Sequence, residues 1–191
     1  VPARLLELLA RDPSRPLVTH IGADGARTEL SVRTFENNAA KAANLLRDDA
    51  DLLPGGVVVL RLPLHWQTSV WLGAVALVGG VAWIDGDPAD PSAEVSVVGP
   101  DGLDDDRAPL ALATALHPLG MPFAAPLPAG LLDSAVEVRM HGDVFVPGPV
   151  DTEGPWIRTH EAARSQHETI EGALSLGAAF GIRPGSRVLC A

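Results

Sequence analysis

The first fifty residues carry two kinds of hydrophobic pattern, one typical of helices and one typical of short strands. An amphipathic helix is predicted over residues 3–11, where apolar side chains recur at helical spacing. Residues 17–20 and 27–30 have strand-like composition and flank a Gly-Ala-Asp-Gly sequence, so they predict a hairpin. Ser31 is suited to cap the next helix. The apolar face of that helix carries Phe35, Ala39, Ala42, Leu45 and Leu46.

The middle of the chain predicts a strand, a helix and a second strand in succession. A Pro-Gly-Gly turn at 54–56 leads into residues 57–62, which are apolar except at Arg61, as is typical of a strand buried on both faces. A helix over 64–79 and a strand over 81–84 come next. Such a succession favours a parallel sheet with a right-handed crossover, and hence an α/β fold flanked by helices. Further short strands are predicted over 95–98 and 110–113.

Prolines interrupt the pattern in the last third of the chain. Residues 117–134 are rich in them, which predicts an irregular connector because proline disrupts helices and central strands alike. A strand is predicted over 135–140 and a proline-rich turn over 147–155. A long helix is predicted over 159–180, with Glu161 in its first turn.

An internal repeat suggests two similar β/α layers. Residues 52–60 and 182–189 each place Pro-Gly before a Val-rich strand and after an Ala/Leu-rich helix, although chance also produces such a pattern. We therefore expect a first layer over 1–116, a connector over 117–134 and an incomplete second layer over 135–191, packed as one unit. An unfinished layer leaves an open sheet edge, which predicts a homodimer or a protein partner.

Composition and charge exclude several classes of function. The net charge of −10 argues against nucleic-acid binding, which needs clustered basic residues. The longest apolar run, from Val70 to Ile84, contains glycines and is shorter than the ~20 residues of a membrane span. The single cysteine, Cys190, permits no internal disulfide and suits a reducing compartment, so a cytoplasmic protein is expected. The acidic run 104–106 is interpreted as a solvated loop, with a divalent-metal site as the alternative.

Several segments, taken in order and spacing, resemble the adenylate-forming superfamily of acyl-CoA synthetases, luciferases and peptide-synthetase adenylation domains. They are 27–35 (Arg-Thr-Glu-Leu-Ser-Val-Arg-Thr-Phe), 53–60 and 72–88, the last ending Gly-Gly-Val-Ala-Trp-Ile-Asp-Gly-Asp-Pro. Residues 159–160 and 181–189 resemble the segments that come after the phosphate loop in that superfamily. The resemblance implies a truncated N-terminal subdomain of an adenylation domain, a mostly parallel sheet flanked by helices.

The His-Trp-Gln-Thr sequence at 65–68 and the short chain most resemble a small actinobacterial group of adenylation-domain-like proteins of unassigned function. In the wider superfamily a Ser/Thr/Gly-rich loop closes on a lysine to hold ATP phosphates, and a second lysine completes the chemistry. The stretch expected to hold that loop, 144–160, contains prolines and acids but neither lysine nor serine. Lys41 is the only lysine of the chain.

The resemblance therefore implies a degenerate, non-catalytic binding or interaction module that needs no cofactor and has no catalytic residues. The alternative is an AMP-dependent ligase that activates a carboxylate with ATP and Mg²⁺, completed by a partner chain. Arg158, Thr159 and His160 are the candidate remnant of a nucleotide site. Histidines such as His160 and His167 lack the spacing of a metal-binding helix, so no metal is expected.

The remaining candidates for ligand binding come directly after predicted strands. His65, Trp66 and Gln67 begin a helix just after the first buried strand, and Asp85 and Asp87 lie just after the next strand. Ligands of open α/β sheets gather beyond the carboxyl ends of the strands, and helix N-termini attract anions. Trp66 could stack on the ring of a ligand, and His65 or Gln67 could form a hydrogen bond with that ring. Core packing of Trp66 and a turn role for the two aspartates are the alternatives.

Overall fold

The computed structural model describes Glu7, residues 11–183 and residues 185–189. This part of the chain contains nine strands and four α-helices. The strands are β1 (Pro16–Ile21), β2 (Arg27–Ser31), β3 (Val57–Arg61), β4 (Val81–Ile84), β5 (Ala93–Val98), β6 (Leu110–Ala113), β7 (Leu132–Asp133), β8 (Pro155–Arg158) and β9 (Ala163–Ser165). The helices are α1 (Val32–Asp48), α2 (Trp66–Val78), α3 (Ser134–Glu137) and α4 (Gln166–Ala179), with 3₁₀ turns at Pro100–Gly102 and Val138–Met140.

Seven strands form one sheet in the order β7-β6-β5-β3-β4-β8-β9. Every neighbouring pair is parallel except β8 and β9, which are antiparallel. The predicted α/β fold with a mostly parallel sheet is therefore confirmed. The predicted hairpin is confirmed as well, since β1 and β2 pair with each other in a separate two-stranded sheet.

The core lies between the sheet and the pair of helices α1 and α2. All five apolar residues predicted for the buried face of α1 are buried, and Ser31 caps the helix by accepting a hydrogen bond from the Thr34 N–H. β3 is buried on both faces because Val58 and Leu60 pack in the helix-side cluster and Val59 packs with Trp83 on the opposite face. Burial on both faces explains why this strand is apolar from Val57 to Leu60, before the exposed Arg61 at its end.

The strand predicted over 135–140 is wrong, because these residues form α3 and a 3₁₀ turn. Asp133 caps α3, with its Oδ1 accepting a hydrogen bond from the Ala135 N–H at 2.9 Å. Its other carboxylate oxygen accepts from the Phe123 N–H at 2.7 Å and so fastens the preceding connector. The Ala-Val-Glu-Val alternation imitates a strand, but the aspartate ahead of it starts a helix.

The long helix predicted over 159–180 begins later than expected. Residues 159–162 form a turn between β8 and β9, so Glu161 lies in that turn and not in a helix. α4 starts only at Gln166, behind a capping box in which Ser165 and Glu168 bond each other's backbone N–H groups. The turn is closed by a hydrogen bond from the Thr159 N–H to the Ala162 carbonyl at 2.8 Å.

Some expectations concern residues at the two ends of the chain. The helix predicted over 3–11 lies largely outside the described residues, and Cys190 lies outside them too. Residues 186–189, assigned to a strand by the repeat, pair with no described strand. The division at residue 116 stays a prediction; β8 and β9 extend the same sheet as β3 and β4. Within the described ranges, no helix is long and apolar enough to cross a membrane.

Candidate functional site

The candidate residues cluster around the edge of the sheet where the parallel strands end. From β3 the chain adds β4 on one side of it. It then crosses to the other side of β3 to form β5, and β6 follows next to β5. A crevice opens where neighbouring strands lead in opposite directions, and in open α/β sheets this is the usual place of a ligand. Two separate cavities lie near this edge, and they share none of their lining residues.

His65 caps the N-terminus of α2. Its Nδ1 accepts a hydrogen bond from the Gln67 N–H at 3.2 Å, and its ring lies edge-on to His20 with 4.3 Å between the ring centres. Burial, helped by the nearby His20, lowers the pKa of His65 to about 4. The imidazole therefore remains neutral near pH 7, the form in which Nδ1 can accept the capping hydrogen bond.

Trp66 and Gln67 line a cavity of about 380 Å³ between α1, α2, β2 and the connector. Only 8% of Trp66 and 9% of Gln67 is exposed. The indole Nε1 of Trp66 and the Oε1 of Gln67 are buried without a hydrogen-bond partner among the described residues. Such orphaned polar atoms are uncommon in proteins and call for a structural or functional explanation.

Asp85 lies in the other cavity, a crevice of about 340 Å³ at the ends of β3 and β5. Arg61 pairs there with Asp105 at 2.8 Å, and Asp101 lines the same space. The acidic run 104–106 thus supplies a partner for an arginine. Asp87 serves a local turn, because its Oδ1 accepts a hydrogen bond from the Ala89 N–H at 2.9 Å.

Arg158 ends β8, and Thr159 and His160 begin the turn after it. The Arg158 guanidinium lies 3.8 Å from the ring centre of Trp83, a cation–π contact. His160 reaches across to the end of β4, where its Nε2 lies 3.0 Å from the Asp85 carbonyl oxygen. The structure thus brings Asp85 and His160 together, and it places both of them apart from the cavity of Trp66 and Gln67.

The N-terminus of α4 is occupied by the protein's own groups. The Glu168 N–H donates to the Ser165 hydroxyl at 3.0 Å, and the His167 N–H donates to the Thr152 carbonyl at 3.1 Å. The Glu168 carboxylate returns to accept from the Ser165 N–H at 2.8 Å. Free N–H groups at a helix N-terminus are the donors that bind phosphate. Here the N–H groups of His167 and Glu168 are taken, and the Glu168 carboxylate lies beside them.

The proline-rich segment before β8 is fastened to α1. The side-chain amide of Asn44 donates to the carbonyls of Gly142 and Val144, at 2.8 and 3.0 Å. The Arg47 guanidinium lies 5.0 Å from the ring centre of Phe145. The stretch expected to hold a phosphate loop is therefore divided between this anchored segment, strand β8 and the turn after it.

Sequence reasoning missed most of the cavity around Trp66. Thr34, Asn38 and Lys41 line it from α1, and Arg139 lines it from the 3₁₀ turn. The spacing of Thr34, Asn38 and Lys41 places them on one stripe of α1 beside its apolar face, which is the signal that could have found them. In the part of the chain that the structure covers, no three His, Cys, Asp or Glu side chains are grouped to hold a metal ion.

Comparison with solved structures gives the fold of this chain a class. A Brucella canis acyl-CoA synthetase superposes with a TM-score of 0.65 at 17% identity, over 83% of this chain and 34% of that one. Apo MatB from Rhodopseudomonas palustris superposes with a TM-score of 0.67 at 17% identity, over 92% of this chain and 36% of MatB. The anthranilate CoA ligase AuaEII superposes with a TM-score of 0.60 at 15% identity, over 80% of this chain and 31% of the ligase. The chain thus has the fold of about one third of an acyl-CoA synthetase.

Sequence comparison then gives the family. A Mycobacterium tuberculosis TIGR03089 family protein is 37% identical over an alignment 191 residues long, and the alignment covers 95% of this chain and 74% of that protein. The chain belongs to the TIGR03089 family. The nonribosomal peptide synthetase pngA of Aspergillus terreus is 35% identical over 75 residues, 38% of this chain and 8% of the synthetase. No protein-family model matches the chain. The predicted resemblance to adenylation-type proteins is confirmed.

Proposed function

We propose that this chain is a non-catalytic, adenylation-domain-like binding and interaction module. The observation that carries the proposal is the N-terminus of α4, where Thr152 and Ser165 accept hydrogen bonds from the N–H groups of His167 and Glu168. A triphosphate needs several converging N–H donors and a nearby cation. At α4 it would meet donors already in use and the negative charge of Glu168.

The distribution of cations supports the same proposal. Lys41 lines the cavity between α1 and α2, and so cannot replace a lysine in the β8–β9 turn. Arg158 is adjacent to that turn, but its guanidinium lies against the face of Trp83. Removing one preorganised electrostatic group typically lowers an enzymatic rate by ~10²–10³. Several such groups are replaced here, which supports the loss of adenylation.

The interaction half of the proposal rests on β9 and α4. β9 is a short strand at one end of the sheet, and among the described strands it pairs only with β8. Beside it, α4 exposes 60% of Leu176, and Phe180, the residue that caps the end of α4, is 76% exposed. These two apolar residues are four positions apart and so lie on the same side of the helix end, where exposed apolar surface favours association. We propose that a second copy of the chain covers it.

The competing function is an AMP-forming ligase that activates a carboxylate with ATP and Mg²⁺. Two of the structural neighbours are an acyl-CoA synthetase and an anthranilate CoA ligase, which favours this alternative. An ATP–pyrophosphate exchange assay separates the two functions. It is run with Mg²⁺ over a panel of short-chain, long-chain and aromatic acids, with an active acyl-CoA synthetase as positive control.

We expect exchange no faster than in a protein-free blank for every acid. The matched variant is Arg158→Ala, which removes the cation nearest the β8–β9 turn. Exchange that grows with the amount of wild-type protein and disappears in Arg158→Ala would overturn the proposal, because it would place the chemistry on this chain and not on a contaminant.

A further inference from the structure

The cavity of about 380 Å³ beside Trp66 has the composition of a small-molecule site. Its volume is within the roughly 300–1,000 Å³ typical of ligand pockets. Leu30, Val70 and Trp71 supply apolar walls, while Asn38 and Lys41 supply polar groups. Apolar walls with a few convergent polar groups are the usual make-up of such sites.

Two residues that line this cavity, Trp66 and Gln67, each carry a buried polar atom without a partner, and the two atoms differ in kind. The Trp66 indole N–H can only donate a hydrogen bond, and the Gln67 Oε1 can only accept one. Trp66 and Gln67 are adjacent at the start of α2, and both line the cavity. An unmade hydrogen bond at a buried group costs roughly 1–3 kcal/mol, so a ligand that satisfies both atoms gains on two counts.

The cavity is covered by a turn that two hydrogen bonds fasten in place. The Thr28 hydroxyl donates to the Pro118 carbonyl at 2.9 Å, and the Arg139 guanidinium donates to the Gly120 carbonyl at 3.1 Å. Gly120 has a φ of 62°, and a Cβ there would lie 3.2 Å from the Trp66 ring. Glycine thus allows the turn to lie directly on the indole. Both orphaned atoms are buried from solvent, so a ligand reaches them only when the surrounding side chains or this turn shift.

We propose that this cavity binds a small ring compound with a carboxamide or lactam group. The carbonyl of that group accepts a hydrogen bond from the Trp66 indole N–H, and its N–H donates to the Gln67 Oε1. The ring of the ligand then packs between the apolar walls. The inference rests on the binding half of the proposed function and is independent of whether adenylation has been lost.

The donor and acceptor pair distinguishes an amide from a carboxylate. A carboxylate has two acceptor oxygens and no N–H, so it would place an oxygen against the Gln67 Oε1. Lys41 and Arg139 favour an anion, whereas Glu29 in the same lining opposes it. The buried pair therefore determines the class of ligand, and the charged groups at the rim determine what substituents it carries.

The test is an NMR titration of the ¹⁵N-labelled chain, following its four tryptophan indole signals. The Trp66 signal is identified by its loss in Trp66→Phe, which keeps an aromatic ring but removes the N–H. Benzamide is the probe, with benzoate and N,N-dimethylbenzamide as matched ligands that lack the amide N–H. Gln67→Met removes the acceptor at similar volume. Trp83→Phe is the control, since its indole N–H is also buried and unpartnered but lies outside the cavity.

We expect benzamide to shift the Trp66 indole signal with a millimolar dissociation constant. Benzoate and N,N-dimethylbenzamide should bind roughly tenfold more weakly, as should benzamide to Trp66→Phe and Gln67→Met, because each lacks about one hydrogen bond. Trp83→Phe should bind benzamide like the wild type. For Gln67→Met and Trp83→Phe, which keep Trp66, binding is followed by the Trp66 indole signal. For Trp66→Phe, binding is followed by saturation transfer observed on the ligand.

Two results would overturn the inference. If the Trp66 signal does not move at about 10 mM benzamide, the cavity is not a site for this class of ligand. If benzoate binds as tightly as benzamide, the class is wrong. Either failure leaves the proposed loss of adenylation intact, because that claim is measured by pyrophosphate exchange.

Discussion

At the residue scale, His65 connects a buried position to helix formation. The neutral ring provides the acceptor that caps α2, and burial keeps the ring neutral by lowering its pKa to about 4. In the unfolded chain the same group has a pKa near its ordinary value of 6.5. The folded state therefore rejects a proton that the unfolded state accepts over the range between these two values.

This difference predicts how stability depends on pH. Above about pH 6.5 His65 is neutral in both states and contributes no pH dependence. As the pH falls from 6.5 towards 4, the unfolded state gains a proton first, so the free energy of unfolding decreases. His65→Asn keeps a capping side chain but cannot titrate. Urea denaturation from pH 4 to pH 8 should therefore show a smaller decrease for His65→Asn than for the wild type.

His65→Ala separates the cap from the charge. It removes both, so its free energy of unfolding should lie about 1 kcal/mol below that of His65→Asn at every pH, with the same pH dependence. If the wild type and His65→Asn gave parallel curves between pH 4 and pH 7, the burial of His65 would have no energetic consequence. The proposed coupling of burial to capping would then be wrong.

At the element scale, the sequence predicted long elements better than short ones. The β3–α2–β4 unit was predicted nearly to its ends because most of its residues are buried and apolar. β8 and β9 are only four and three residues long, and the polar turn between them resembles the first turn of a helix. Ser165 with Glu168 is a capping box visible in the sequence, and it would have placed the start of α4 correctly.

The surface formed by α4 predicts self-association at the same scale. Leu176→Glu introduces a charge beside the exposed Phe180, so it should weaken association without disturbing the core. Light scattering after size exclusion should give the wild type a mass about double the 19.9 kDa of one chain, and Leu176→Glu the mass of one chain. Leu53→Glu, at a leucine 72% exposed elsewhere, is the matched control and should stay dimeric. A monomeric wild type would contradict the interface.

At the scale of the whole molecule, the fold class could be predicted but the cavity could not. The β-α-β succession is local, so hydrophobic periodicity along the chain reveals it. The cavity joins Thr28 of β2, Lys41 of α1, Trp66 of α2 and Arg139, which are far apart in sequence. No periodic pattern relates such positions. The candidates His65, Trp66 and Gln67 were found only because they come after a strand whose carboxyl end could be predicted.

The central claim concerns the molecule as a whole. We propose that it is an adenylation-type scaffold that does not bind a nucleoside triphosphate. Calorimetric titration of ATP–Mg²⁺ into the purified chain tests it most directly, with AMP as a second ligand and an active acyl-CoA synthetase as positive control. The account predicts no heat of binding at millimolar nucleotide, because the donors at α4 are occupied and Glu168 repels phosphate. A submillimolar dissociation constant for ATP–Mg²⁺ that Arg158→Ala abolishes would contradict it.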